Sequence, residues 1–293
     1  MKGAASRRAY VNAHIVAPAQ GLDGSGGILI EDGWILGVGP KVTRESVGSG
    51  TAVTDCRGLT LIPGLIDMRV FTGEPGAEYR ETLASASAAA AAGGVTTMIV
   101  MPNTQPVVDD AAIVDFILRR ARDTASVRVA PMAAITKGLQ GELMTEIGLL
   151  KEAGAVAVTE GTKAVANANV FRRALTYARD FDMLVVQHVE EPSLASGVMN
   201  AGEAAARLGL SGNPAMAEVI MLERDLRLVE MTGARYHAAQ ISSALSVEVI
   251  RAAKQKGLPV TCGVSVHHLV LNENDIGAYR TFFKLSPPLR SED

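Results

Sequence analysis

Asp67, Arg69 and Phe71 stand two residues apart at the end of an apolar run broken by Pro63-Gly64. In an extended chain they point one way, while Ile66, Met68 and Val70 point the other. A carboxylate can ligate a metal or move a proton. A guanidinium carries a fixed charge and donates hydrogen bonds, but it cannot ligate. Further polar groups close later apolar segments: Asn103, Glu160, His188, Gln240, the pair His267-His268, and Ser286 ahead of Pro287-Pro288. Carboxylates and imidazoles are the materials of metal centres and of acid–base catalysis. A histidine at a strand end is nevertheless more often hydrogen-bonded structure than a ligand. His237, His267 and His268 are expected to be structural on that ground, and His14 to be incidental. Glu190-Glu191 before Pro192 reads as a helix start. Lys163 lies beyond a strand end and is not expected to bridge metals as a carbamate.

These residues need a scaffold, and the chain spells one out. Residues 1–60 read as short strands and tight turns, with a turn at Gly24 to Gly27 and a hairpin at Asp32-Gly33. The apolar run broken by Pro63-Gly64 becomes a strand, then a turn follows at Gly73-Glu74-Pro75-Gly76. From there strand and helix alternate: strands at 95–102, 127–136, 155–159, 184–188, 235–242 and 259–266, separated by helices at 81–93, 109–123, 145–153, 169–181, 203–209, 215–232 and 246–256. Apolar strands spaced by helices indicate a parallel sheet buried on both faces. Seven units in one run favour a TIM barrel over a doubly wound sheet, and no glycine-rich phosphate loop opens a helix. The expected organisation is a β portion over 1–60 and a barrel over 61–293. An eighth strand is missing, so a longer natural chain is expected.

Composition sets outer limits. Of 293 residues, 48% are hydrophobic and 20% charged, which is the make-up of an ordinary folded domain. A formal charge of −3 gives no reason to expect nucleic acid or an anionic membrane as partner. The two cysteines, Cys56 and Cys262, are far apart and read as reduced thiols. With no apolar segment of membrane length and no signal peptide, a cytoplasmic protein is expected.

The segment Leu59 to Arg80, LTLIPGLIDMRVFTGEPGAEYR, resembles the first barrel strand of the dihydroorotases of the amidohydrolase superfamily. The resemblance extends through Met101-Pro102-Asn103-Thr104, Thr159-Glu160-Gly161, Gln187 to Pro192, Tyr236 to Ser242, His267-His268-Leu269 and Lys284 to Arg290. It implies an amidohydrolase-type TIM barrel beside a small β-sandwich portion, acting in pyrimidine synthesis. It also implies zinc, held in the family by histidines where this chain has Arg69, Phe71 and Gln240, and at the positions of Glu160 and His188. Asn103, Ser286 and His267 fall at or beside substrate-pocket positions. Gly73 stands where the family has an arginine that anchors the substrate, and the family's catalytic aspartate falls beyond Asp293.

Catalytic zinc needs about three protein ligands and a water, and two remaining candidates are too few. A guanidinium about 4 Å from a divalent ion would add roughly 8 kcal/mol of repulsion at an effective dielectric near 20. The expectation is therefore a site with no metal cofactor; for such a chain the resemblance implies a non-catalytic homologue kept for assembly with aspartate transcarbamoylase, and a homo-oligomer is expected. Two other readings stand beside it: an active dihydroorotase with zinc in a rearranged site, and a barrel that binds a small ligand without turning it over. In the vacated centre an ion pair of Arg69 with Glu160, Asp67 or both is expected, with Phe71 filling the remaining volume.

Overall fold

In the computed structural model residues 7–278 and 280–292 are described, and they divide after Leu65 into two compact units. The first is a five-stranded sheet of β1 (Arg7–Ala17), β2 (Leu22–Glu31), β3 (Trp34–Gly39), β4 (Ala52–Asp55) and β5 (Thr60–Leu61). The order is β3-β2-β1-β4, with β5 also on β1. β1 buries alternate residues, Ala9, Val11, Ala13 and Ile15, as a strand with one core face must. Asp32 and Gly33, at φ 49° and 83°, make the expected hairpin between β2 and β3. The expected turn at Gly24 to Gly27 is instead part of β2. Close approach explains these glycines: a Cβ on Gly26 would lie 2.5 Å from the Gly39 carbonyl carbon, and one on Gly27 2.6 Å from the Tyr10 oxygen.

The second unit runs β6 (Leu65–Val70), α1 (Leu83–Ala92), β7 (Val95–Val100), α2 (Ala111–Thr124), β8 (Arg128–Ala134), α3 (Ile147–Glu152), β9 (Ala157–Thr159), α4 (Ala168–Asp180) and β10 (Leu184–Gln187). It continues through β11 (Met199–Asn200), α5 (Glu203–Leu208), β12 (Gly212–Asn213), α6 (Ala215–Thr232), β13 (Tyr236–Ala238), α7 (Ala244–Gln255), β14 (Val260–Cys262) and α8 (Val266–Val270). β11 and β12 pair only with each other, and the other seven strands form one parallel sheet in chain order, from β6 to β14. Polar residues placed ahead of the apolar periods start the helices. Thr82, Asp110, Asn167 and Ser243 each accept a hydrogen bond from the first turn of α1, α2, α4 and α7.

The two faces of the sheet bury different side chains. One face packs on the helices, in a large cluster that includes Met98, Ile117, Val158, Phe171, Val185 and Tyr236. The other face curls inward, with Met101, Met132, Ala157 and Val186 packed against Phe71, Ile99, Leu184 and Ala239. This is the interior of a (β/α) barrel. The sixth and seventh strands are shorter than the sequence suggests. The chain leaves the ladder after Ala238 and Cys262 but keeps single bonds across the gap, such as Ile241 N to Gly263 O at 2.9 Å. No helix among the described residues is long and apolar enough to cross a membrane.

Candidate functional site at the strand ends

Arg69 is the penultimate residue of β6, and its side chain crosses to the far strands. Nη1 donates to Gln240 Oε1 at 2.7 Å, and Nη2 donates to the Gly161 carbonyl at 3.1 Å and to His188 Nδ1 at 3.5 Å. Burial pushes the guanidinium below its usual range. The charge of Arg69 in turn adds to burial in holding His237 down, so that His237 stays a neutral ring bonded to Thr261 Oγ1 at 2.7 Å.

His188, buried at the end of β10, connects this cation to an anion. Because Nδ1 accepts from Arg69, Nε2 carries the proton, and it donates to Glu190 Oε2 at 3.1 Å. Glu190 also accepts from Asn213 Nδ2 at 2.6 Å and from Ser286 Oγ at 3.2 Å. Burial alone would raise Glu190, but the hydrogen bonds from His188 and Asn213 hold it below the usual carboxylate range. The result is a line from guanidinium through imidazole to carboxylate. Glu190 was expected to start a helix; no helix begins there, and its neighbour Glu191 caps a turn by accepting from Ser193 Oγ at 2.7 Å. The role of Glu190 was missed. Its sequence signal was a carboxylate two residues after a strand-end histidine.

The expected ion pair of Arg69 with Glu160 or Asp67 is not formed. Glu160, 1% exposed, turns toward β8, where it accepts from Thr136 Oγ1, from Thr136 N at 3.2 Å and from Gly141 N at 3.1 Å. Burial pushes its carboxyl up, and these donors only partly offset that. Three donors already satisfy Glu160, which removes the need for a cation. Asp67 is exposed and accepts the backbone N–H of Arg69, at 3.1 Å. Phe71 lies in the barrel interior among Met101, Met132 and Val186, with Arg80 5.3 Å above its ring centroid.

The other candidates divide. Asn103 lies beside Gly161, close to the Arg69 contact, and its Oδ1 is buried without a donor. Ser286 reaches the His188–Glu190 pair. His267 is exposed on α8 and is not drawn into the site. His268 is structural: Nε2 donates to the Pro287 and Pro288 carbonyls at 3.1 and 3.3 Å. Gly73 sits at φ 71°, and a Cβ there would lie 2.7 Å from the Ala77 oxygen, so this loop conformation excludes an arginine. Buried Glu74 fixes the loop by accepting from Leu83 N at 2.8 Å and from Arg120 Nε at 2.6 Å.

These residues do not fit the zinc that the resemblance implies. The guanidinium already occupies His188 Nδ1, Glu160 faces another strand, and Phe71 offers no donor atom. Among the described residues no three His, Cys, Asp or Glu side chains gather closely enough to hold an ion.

Comparison with known proteins agrees with the fold and places the sequence. The L-hydantoinase (dihydropyrimidinase) from Arthrobacter aurescens superposes with a TM-score of 0.82 at 22% identity, covering 97% of this chain and 64% of that one. D-hydantoinase from Thermus sp. gives 0.73 at 20% identity over 97% and 64%. The fold is thus the amidohydrolase TIM barrel with a small β portion. Dihydroorotase of Syntrophobacter fumaroxidans is 43% identical over 283 residues, covering 96% of this chain and 64% of the relative. Dihydroorotase of Anaeromyxobacter dehalogenans strain 2CP-C is 45% identical over 282 residues, with 95% and 64% covered. The chain therefore spans just under two thirds of the length of these relatives. The family model described as Dihydro-orotase-like matches residues 58–246, and the chain belongs to that family.

Proposed function

We propose that this chain is a metal-free, non-catalytic dihydroorotase-like protein of pyrimidine synthesis, located in the cytoplasm and serving in assembly with aspartate transcarbamoylase. One observation carries the reading. Arg69, at a position where the resemblance puts a zinc-binding histidine, hydrogen-bonds both His188 and Gln240, at two other such positions. A metal-bound hydroxide needs a cation of low coordination, with about three ligands and a water. A guanidinium supplies positive charge but no open coordination site and no acidified water. The partner comes from the resemblance, which includes non-catalytic bacterial members with this role.

Two assays test the reading. Purified chain should neither hydrolyse dihydroorotate nor cyclise carbamoyl aspartate above background, and it should co-sediment with aspartate transcarbamoylase. Turnover that disappears in Glu160→Ala would overturn the non-catalytic reading, and failure to co-sediment would overturn the assembly role. One observation favours an active enzyme as the second reading: Glu160 is buried with its carboxyl raised, as a general acid would be. Its three donors from Thr136 and Gly141 favour a structural role instead.

A further inference from the structure

Arg290 is 8% exposed, and its guanidinium is only partly engaged. Nε donates to Ser242 Oγ at 3.0 Å, and Nη1 donates to Asn200 Oδ1 at 3.1 Å and to the Asn213 carbonyl at 2.8 Å. Nη2 is buried and has no hydrogen-bond partner among the described residues. Glu218 Oε2 stands 3.9 Å from it, but that carboxylate already accepts from N–H and O–H donors of Ser242, Ser243 and Ser246. Arg290 borders a cavity of about 510 Å³. The first two residues of α6, Ala215 and Met216, and of α7, Ala244 and Leu245, line the same cavity. The opening N–H groups of a helix lack intrahelical partners and carry its positive end, and α6 starts after Pro214 with no side-chain cap. Two helix starts and a buried guanidinium with N–H bonds to spare thus border one space, as an anion site requires. His268 lines it too. Burial keeps that ring neutral and Nε2 donates to the Pro287 and Pro288 carbonyls, so Nδ1 is an acceptor, and it is buried without a donor. Glu292 is the one carboxylate in the lining among the described residues, and Asn272 Nδ2 engages its Oε2.

We propose that this cavity is a binding site for hydrogen phosphate, separate from the Arg69 centre. The oxyanion accepts from Arg290 Nη2 and from the opening N–H groups of α6 and α7, and its one O–H donates to His268 Nδ1. Positive charge alone would serve any anion, and the orphaned acceptor is what selects. Sulfate and carboxylates are fully ionised at neutral pH and offer no O–H, and a phosphomonoester, with its second pKa at about 6, has mostly lost its own. Inorganic phosphate keeps one. The cavity has room for the ion with its waters, each of which takes about 30 Å³. None of the three groups that touch Arg69 lines it, so the proposal does not depend on whether that centre holds a metal.

Calorimetric titration of the 293-residue chain with inorganic phosphate, sulfate and acetate, at neutral pH and constant ionic strength, tests the site. Phosphate should bind saturably at one equivalent and about tenfold tighter than sulfate, the usual worth of one satisfied buried acceptor. Acetate should bind no tighter than sulfate. His268→Gln keeps a side-chain N–H for the proline carbonyls but has no ring Nδ1, and it should bring phosphate down to the level of sulfate. Arg290→Gln should abolish binding of both. Should these variants fail to fold, the His268 Nδ1 resonance of the unaltered chain reads the site directly, since phosphate should shift it far more than sulfate does. Absence of saturable phosphate binding, equal binding of phosphate and sulfate, or phosphate binding that shifts the Arg69 side-chain resonance and leaves His268 unmoved would each overturn the proposal.

Discussion

Removing Arg69 leaves Gln240 Oε1, the Gly161 carbonyl and His188 Nδ1 without a donor. Each stranded acceptor costs about 1–3 kcal/mol, so Arg69→Ala should lower stability by several kcal/mol in urea unfolding. An unchanged unfolding free energy would contradict these three contacts. Gly73 gives a second test. Gly73→Arg, which restores the residue implied by the resemblance, forces a side chain into a left-handed φ and against the Ala77 and Glu81 carbonyls. It should lower stability by about 1–3 kcal/mol, and an unchanged melting temperature would contradict this loop geometry. What the sequence could reveal at this scale was which residue types were lost. It could not reveal that Arg69 would choose Gln240, 171 positions away, over a carboxylate. That choice depends on Glu160 finding Thr136 and Gly141 first, a matter of loop geometry rather than strand alternation.

Between elements, a buried polar cluster fastens α6 to the sheet. Asp225, fully buried, accepts from Tyr236 Oη at 2.8 Å and from Arg224 at 2.6 and 3.0 Å. Burial pushes its carboxyl up to about 6, although Arg224 pulls the other way. The folded chain therefore holds a proton that the unfolded chain releases near pH 3.8. This contribution to stability is full below that pH, is lost as pH rises to about 6, and is constant above, with a slope of at most about 1.4 kcal/mol per pH unit. Urea unfolding of Asp225→Asn and the parent chain between pH 4 and 7 checks this, since the substitution should remove that fall. The rhythm of strands and helices that builds this layer was legible because apolar periods and capping residues are local signals. The clipped β13 and β14 were not, because single cross-strand bonds beyond Ala238 and Cys262 replace a regular ladder.

Across the molecule, β6 and β14 lie at the two ends of the seven-stranded sheet. Ile66 and Met68 on the first, and Val264, Val266, Leu269 and Val270 after the second, are exposed. Exposed apolar surface of this kind favours association with other chains. The 293-residue chain should therefore sediment as oligomers at micromolar concentration, and a monodisperse monomer would contradict this. Seven barrel units could be counted from the sequence because each strand is a short apolar run between helices. Whether the strand ends hold a metal depends on where those few side chains point. The most direct measurement is elemental analysis of protein expressed with added zinc and purified without chelators. The guanidinium-filled centre predicts less than about a tenth of an equivalent of transition metal per chain, in the parent and equally in Arg69→His, because Phe71 and Gln240 still offer no ligand. One or more tightly held equivalents, lost on replacing His188, would contradict it.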